Sequence, residues 1–282
     1  MTIHQLDHGA VLSALPDRDP WGHKGSFGKI LLLCGSRGYT GAAWFAAMGA
    51  LRTGAGLTFL GVPESIYAIE AVKLNEPVVF PLPERDGMLS ADAVEEIEKR
   101  LSHMDAVLIG CGLGQSEDTL AVVKAVLAQA KCPVVLDADG INVLAPHKDI
   151  LRGRAYPTIV TPHDGEFVRF GGCLNRERMD CAAQFAKEWN CTVVLKGHET
   201  CITDGTNHYR NTTGNPGMAV GGSGDVLAGM IVSLLGQGIA PTLAAACAVW
   251  LHGAAGDLCA QELGQYAMLP SDMLMALPRL LK

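Results

Sequence analysis

The stretch KILLLCG, residues 29–35, indicates the fold class because its apolar residues are continuous, not alternating with polar ones, and end at a glycine. Five other runs share this character: GLTFLGVP (56–63), AVLIGCG (106–112), PVVLDAD (133–139), TIVTPH (158–163) and CTVVLKG (191–197). A strand that is apolar at successive positions fits a sheet covered on both faces, as in parallel α/β proteins. The six runs therefore predict buried strands of a mostly parallel sheet.

Helical patterns separate these predicted strands. Alanine-rich or amphipathic segments predict four helices, at residues 41–53, 90–101, 117–130 and 178–189. The segment CITDGTNHYRN, residues 201–211, predicts a hairpin with a turn at Asp-Gly. Strands that alternate with helices predict an α/β fold, a three-layer αβα sandwich with a mostly parallel central sheet. No linker or internal repeat divides the chain, so we expect residues 1–282 to form one domain.

The composition is that of an ordered globular protein with small-molecule partners. Of the 282 residues, 49% are hydrophobic and 18% are charged, and the formal net charge is -7. This acidic balance is not typical of nucleic-acid binders, which usually present a basic face. The first residues lack the basic segment and apolar run of a signal peptide, and no uninterrupted apolar stretch approaches about 18 residues. We therefore expect a cytoplasmic protein with no nucleic-acid or membrane partner.

The nine cysteines predict reduced and mostly buried thiols. An odd number without C-x-x-C spacing fits neither a disulfide framework nor a common metal site. Free cysteine behaves as a small core residue, so we expect none of the nine to be catalytic or to bind a metal.

The glycine-rich stretch GNPGMAVGGSGDVLAGM, residues 214–230, predicts an anion-binding site. Apolar residues at helical spacing begin at Val226, so Asp225 falls in the first turn of a helix. Free amide groups and the positive end of the helix dipole favour negative charge at such a position. Asp225 is then either a base beside a bound phosphate or only a capping acid, and the residues of this stretch leave both interpretations open.

Two other glycine motifs do not complete a known phosphate-binding pattern. The segment HKGSFGKI, residues 23–30, lacks the first glycine and the final Ser or Thr of a P-loop. The segment GCGLGQ, residues 110–115, follows a predicted strand but has Gln115 where a dinucleotide fingerprint has its third glycine. Its glycines at 110, 112 and 114 either line a ligand crevice at the strand end or form a tight turn.

Five motifs along the chain carry a resemblance to a known family: HKGSFGK (23–29), DADGINVL (137–144), TPHDGEF (161–167), LKGHETCITDG (195–205) and GNPGMAVGGSGDVLAG (214–229). In this order they resemble the ADP/ATP-dependent NAD(P)H-hydrate dehydratases, which have a ribokinase-like fold. The resemblance extends from about Trp21 to about Leu280. It implies an enzyme that dehydrates the (S)-hydrate of NADH or NADPH, uses Mg2+, and consumes ADP or ATP. In the bacterial type ADP is converted to AMP and phosphate.

The resemblance also implies a role for individual residues. Asp225 matches the base that takes the proton from the substrate hydroxyl as it attacks phosphorus. The positions that match the substrate site are Ala42, Gly112, Gly114, His163 and Asp225. The positions that match the nucleotide site are Lys196, Gly197, His198, Glu199, Thr200, Gly222, Ser223 and Gly224. Glu166 would hold Mg2+ through water, because this ion keeps much of its hydration shell.

Several of these residues also have a purely structural interpretation. Lys196 could be a surface lysine, His163 a structural histidine and Ala42 a packing residue of a helix. A polar cluster at the end of a predicted strand either hydrogen-bonds the substrate or caps a helix: Asp137, Asp139 and Asn142.

Two other functions fit parts of the same pattern. A kinase of the same fold, acting on a sugar or vitamin-precursor alcohol, would need the same base and anion site. A noncatalytic nucleotide sensor would keep the pocket without turnover. The family resemblance further implies a homo-oligomer, for which a tetramer is one arrangement. Because it begins near Trp21, we expect no separate epimerase domain in this chain.

Overall fold

The computed structural model describes residues 2–282, which fold around a nine-stranded sheet. The strands are β1 (Lys29–Leu33), β2 (Leu57–Pro63), β3 (Val78–Leu82), β4 (Glu84–Arg85), β5 (Met88–Leu89), β6 (Ala106–Ile109), β7 (Val134–Leu136), β8 (Thr158–Val160), β9 (Thr192–Leu195), β10 (Cys201–Thr203) and β11 (His208–Arg210). The helices are α1 (His8–Ala14), α2 (Thr40–Arg52), α3 (Glu64–Lys73), α4 (Val94–Leu101), α5 (Glu117–Gln129), α6 (Asp139–Leu144), α7 (Asp164–Arg169), α8 (Arg178–Trp189), α9 (Ser223–Gly236), α10 (Pro241–Leu263) and α11 (Pro270–Leu280).

The strand order of the main sheet is β11-β10-β9-β8-β7-β6-β1-β2-β3, and β4 pairs with β5 in a separate hairpin. All pairs from β3 to β9 are parallel, whereas β10 is antiparallel to both β9 and β11. Ile109, Leu136, Val160 and Val193 are register partners across β6 to β9. The loops that follow these four strands therefore leave the sheet along one edge, where open α/β sheets bind ligands.

Helices cover both faces of the sheet, so each strand contributes to two cores. In β1, Ile30 and Leu32 face the core shared with α2, α9, α10 and α11, whereas Leu31 and Leu33 face the core shared with α4, α5, α7 and α8. All four side chains are fully buried. Burial on both faces explains the continuous apolar runs, and the predicted αβα sandwich with a mostly parallel sheet is confirmed.

Helices α2 and α9 pack with their backbones in close contact. A Cβ on Gly229 would lie 2.1 Å from the carbonyl oxygen of Ala46, and one on Gly49 would lie 2.4 Å from the carbonyl oxygen of Val226. A larger residue at either glycine would force the helices apart. This contact holds the start of α9, and with it Asp225, in a defined position relative to the sheet.

Helix α10 is long and apolar enough to cross a membrane by length and composition alone, but 67% of its most apolar 18-residue window is buried inside the fold. A core helix of a soluble protein passes the same test. Eight of the nine cysteines are also buried, Cys173 is exposed, and all nine are free, as predicted.

The sequence patterns located most elements and missed a few. The predicted helix at 178–189 has the observed bounds, and the hairpin at 201–211 forms as β10 and β11. The predicted strands at 133–139 and 158–163 are shorter than expected, because their last residues turn into the loops at the sheet edge. Helices α1, α3, α6 and α7, edge strand β3 and the short hairpin of β4 and β5 were not predicted.

Candidate active site

Asp225 lies in the first turn of α9, as the sequence predicted. The residue before this helix, Gly222, has a φ of +98°, and a Cβ there would lie 2.6 Å from the ring of Phe45. Only glycine combines this left-handed backbone with so close a neighbour. The loop therefore brings the first amides of α9 to the sheet edge, with Asp225 among them.

The surroundings of Asp225 favour its protonated form. Burial, followed by the negative charge of Asp137, raises the pKa of Asp225 to about 7, although the Cys111 thiol and the Lys196 ammonium act in the opposite direction. A carboxyl group ordinarily ionises near pH 4. With its pKa near neutrality, Asp225 can accept a proton from a substrate hydroxyl and release it again at physiological pH.

Lys196 and Asp137 form an ion pair beside Asp225, in which the Asp137 side chain is buried and the Lys196 side chain is 20% exposed. The Lys196 Nζ lies 2.9 Å from Asp137 Oδ1, and the Thr161 hydroxyl donates a hydrogen bond of 2.6 Å to the same oxygen. Although burial opposes the charged form, the carboxylates of Asp137 and Glu166 raise the pKa of Lys196, so it remains an ammonium. A Cβ on Gly224 would lie 3.5 Å from Lys196 Nζ, so this charge is adjacent to the glycine loop.

Glu166 and His163 form a reciprocal cap at the start of α7. The His163 Nδ1 accepts from the amides of Gly165 at 3.0 Å and Glu166 at 3.3 Å, while Glu166 Oε2 accepts from the His163 amide at 2.9 Å. The His163 side chain is 54% exposed and Glu166 is buried. His163 therefore has a structural role as a cap, and its Nε2 lies 3.6 Å from Glu166 Oε1.

Of the acidic groups at this site, Glu166 fits a bound cation best. Its Oε1 makes no hydrogen bond within 3.5 Å to the described residues, and a carboxylate oxygen is a hard donor that suits Mg2+ or its water ligands. A second group, Cys111, Asp137 and Asp225, places its ligand atoms within 4.8 Å of one another. This group fits Mg2+ poorly, because one donor is a thiol and the Lys196 ammonium already supplies the positive charge at Asp137.

The loop after β6 lies against the start of α2. Gly112 has a φ of +62°, and a Cβ there would lie 2.8 Å from the Cβ of Ala42. Gly114 has a φ of +78°, and its amide donates to Asp139 Oδ2 at 2.9 Å. These contacts bring together Ala42 and Gly112, two of the predicted substrate positions, and give Asp139 a role in holding the loop.

Asn142, which the sequence analysis grouped with Asp137 and Asp139, contacts α7 instead. Asn142 Oδ1 accepts a hydrogen bond of 3.1 Å from Arg169 Nε, so it joins α6 to α7.

The predicted nucleotide stretch forms a tight turn after β9. Thr200 Oγ1 donates to the Gly197 carbonyl at 2.9 Å and accepts from the Gly197 amide at 3.3 Å. His198 and Glu199 are exposed at the tip, and Glu199 has a φ of +53°. The turn therefore presents backbone and side chains outward, immediately after Lys196.

Three residues at this site were not singled out as site residues by the sequence analysis, although Cys111 and Thr161 lie within motifs that it quoted. Cys111 and Thr161 each contact Asp137. The imidazole of His252, within α10, donates from Nε2 to the Ser223 carbonyl at 2.9 Å. Burial lowers the pKa of His252 to about 4, so the ring is neutral. It supports the first residue of α9 from below, and its position in an apolar helix gave no hint of this contact.

The amino-acid sequence matches a known protein family. A family model described as NAD(P)H-hydrate dehydratase matches residues 30–279. The chain belongs to this family. The resemblance carried by the five sequence motifs is thus confirmed.

Individual relatives agree with the family match. The chain is 44% identical over 277 residues to a bifunctional NAD(P)H-hydrate repair enzyme of Moorella thermoacetica, covering 96% of this chain and 52% of that protein. It is 39% identical over 279 residues to the ADP-dependent (S)-NAD(P)H-hydrate dehydratase of Bacillus subtilis, covering 96% of this chain and 95% of that protein. The chain spans about half the length of the bifunctional relatives it matches.

A solved structure extends the agreement to the fold. The ADP/ATP-dependent NAD(P)H-hydrate dehydratase from Bacillus subtilis, co-crystallised with ATP and Mg2+, superposes with a TM-score of 0.85 at 33% identity. The match covers 99% of this chain and 98% of that chain. The expected ribokinase-like fold is thereby confirmed.

Proposed function

We propose that this protein is an ADP-dependent (S)-NAD(P)H-hydrate dehydratase, which repairs hydrated NADH and NADPH and releases AMP and phosphate. The observation that carries the proposal is Asp225, a carboxyl group with a pKa near 7 at the start of a helix whose glycine loop is adjacent to the Lys196 ammonium. The names of the relatives support the substrate and the use of ADP.

Asp225 would act in the first chemical step. Its carboxylate takes the proton from the hydroxyl of the hydrate as that oxygen attacks the terminal phosphorus of ADP, and AMP leaves with the electrons of the broken P–O bond. The amides of Gly222, Ser223 and Gly224 would face the charge on the transferring group. Lys196 would add a point charge on the same side.

Phosphorylation makes the second step feasible, because hydroxide is a poor leaving group and phosphate a good one. The lone pair of the ring nitrogen expels phosphate, and loss of a ring proton restores the double bond of the reduced nicotinamide. Ala42, Gly112, Gly114 and His163 are the residues we propose to bind the hydrate.

The nucleotide and the metal would bind on the β9 side of this edge. We assign the turn of Gly197, His198, Glu199 and Thr200 to ADP, together with Lys196 and the glycine loop. Glu166 would hold Mg2+ through water, and the bound ion would offset the charge of the phosphates. The co-crystallisation of the Bacillus subtilis relative with ATP and Mg2+ supports both ligands.

We further propose a cytoplasmic, homo-oligomeric enzyme built from one domain. A single nine-stranded sheet links the two cores, which supports one domain. Size-exclusion chromatography with light scattering measures the oligomeric state.

The test is turnover of defined substrates. The protein is incubated with hydrated NADH or NADPH, Mg2+, and either ADP or ATP, while the absorbance of the reduced nicotinamide band and the release of phosphate are followed. We expect the absorbance to recover with release of a stoichiometric amount of phosphate. This recovery should be lost when Mg2+ is chelated and in the Asp225→Asn variant. A Glu64→Gln variant is a matched control, because Glu64 is an exposed acid in the first turn of α3.

Two outcomes would overturn the proposal. Accumulation of a stable phosphorylated alcohol with ATP would indicate a kinase of the same fold. Binding of ADP and hydrate without turnover, unchanged by Asp225→Asn, would indicate a sensor.

A further inference from the structure

Cys111 lies between the two carboxylates of the site. It follows β6, is fully buried, and donates from Sγ to Asp137 Oδ2 at 3.5 Å. Its Sγ and one carboxylate oxygen each of Asp137 and Asp225 all lie within 4.8 Å of one another. The thiol thus donates to Asp137 in this structure, and a carboxylate oxygen of Asp225 lies within 4.8 Å of the sulfur as its other acidic neighbour.

The two acids differ in their other partners. Asp137 already has the Lys196 ammonium and the Thr161 hydroxyl. Among the described residues, no nitrogen or hydroxyl donates a hydrogen bond to the side chain of Asp225, and the adjacent Cys111 thiol lowers its pKa. The thiol therefore matters more to Asp225 than to Asp137.

The thiol is held in its protonated form. The adjacent Cys34 thiol, burial, and the negative charges of Asp137 and Asp225 raise the pKa of Cys111 well above its usual range. A protonated thiol is a weak hydrogen-bond donor and not a nucleophile. Its role at this place is therefore to donate a hydrogen bond.

We propose that Cys111 is a positioning residue for Asp225, whose S–H bond turns toward Asp225 when that acid is ionised and toward Asp137 when Asp225 holds the substrate proton. The inference rests on the proposed function, because it takes Asp225 as the base. No proton leaves the sulfur, and only rotation about the Cβ–Sγ bond is required. The thiol holds the ionised base in place before the reaction and releases it afterwards.

The pH profile of kcat is the first test. The groups that face Asp225 are Asp137, Asp139, Lys196 and Cys111. Of these, Cys111→Ala removes only a neutral donor, so the acidic limb of kcat should move up by about 0.5–1 pH unit. The kcat at pH 6 should then fall roughly three- to tenfold, with little change at pH 9 or in KM.

Two variants separate this role from simple packing. Cys111→Ser keeps a hydrogen-bond donor, so the acidic limb of its pH profile should lie near the wild-type position. Cys247→Ala removes an equal volume from a fully buried position of the same core, away from Cys111 and Asp225, so the acidic limb of its pH profile should not move. An acidic limb that stays in place in Cys111→Ala, or moves equally in Cys247→Ala, would overturn the proposal.

A measurement that needs no turnover completes the test. The infrared S–H stretch assigned to Cys111 by its absence in Cys111→Ser should shift to lower frequency as the pH rises through the ionisation of Asp225. The shift should be absent in Asp225→Asn. If the wild-type protein showed no dehydration, the proposed function would fail while this shift would still support the thiol contact. If dehydration occurred and neither the limb nor the stretch moved, the inference about Cys111 alone would fail.

Discussion

Replacement of Asp225 by asparagine should make the protein more stable at pH 8 while it removes turnover. The folded protein holds this carboxyl at a pKa of about 7, against an ordinary value of 3.8. Because the folded pKa is the higher one, the ionised form is disfavoured by folding. The free energy of unfolding is therefore unaffected by this group below about pH 4, decreases from pH 4 to pH 7, and is level above that.

The size of the gain follows from the shift. About three pKa units at roughly 1.4 kcal/mol each give roughly 4 kcal/mol above pH 8. The pKa is the net result of burial and of every interaction that favours the carboxylate, the helix dipole included, so nothing more is subtracted from this figure. Asp225→Asn should therefore be more stable by roughly 4 kcal/mol above pH 8, or about 8 °C in Tm. Its kcat should fall about 10²- to 10⁴-fold, because the base is gone.

Thermal melts at pH 4 and pH 8 measure this difference. The two proteins should melt together at pH 4 and separate at pH 8. Glu64→Gln is the matched control: its acid also lies in the first turn of a helix but is exposed, so the variant should gain no stability at either pH. An Asp225→Asn protein with an unchanged or lower Tm at pH 8, or with an equal gain at pH 4, would refute the argument from burial.

Three further changes test other parts of the structure. Gly229→Ala should lower the free energy of unfolding in urea by about 1–3 kcal/mol, because its Cβ would lie 2.1 Å from the Ala46 carbonyl oxygen; an unchanged midpoint would contradict this packing. Lys196→Met should cost about 3 kcal/mol in the same assay, because it leaves Asp137 buried at 2% exposure without its cation, and no loss would argue against the ion pair. The pKa of His252 is lowered to about 4, so its contribution to stability should decrease by up to about 3 kcal/mol as the pH falls from 6.5 to 4; His252→Asn should lack this slope in pH-dependent unfolding.

Two of the elements that the sequence analysis missed, α3 and β3, were missed for a common reason. Helix α3 buries Ile66 and Glu70 but leaves Ile69 and Val72 exposed, so its apolar residues do not follow the core-facing stripe expected of a helix. Strand β3 lies at the sheet edge, where Val78 is 46% exposed. Elements at the edge of a fold are only partly covered, and their sequence pattern is correspondingly weak.

Local sequence determined the parts of this protein that depend on neighbouring residues. Continuous apolar runs specified the covered parallel sheet, and the change from glycine to helical spacing placed Asp225 in the first turn of α9. Both follow from backbone conformation and burial, which act within about ten residues.

Tertiary structure alone decided the chemistry around that acid. Lys196 and Asp137 are 59 positions apart and meet only because β7, β8 and β9 lie side by side with their carboxyl ends at one edge. The same strand order brings Cys111, which follows β6, within 4.8 Å of Asp225, and α10 brings His252 beneath Ser223. Burial and charge at this meeting point raise the pKa of Asp225, and both depend on residues that are distant in sequence.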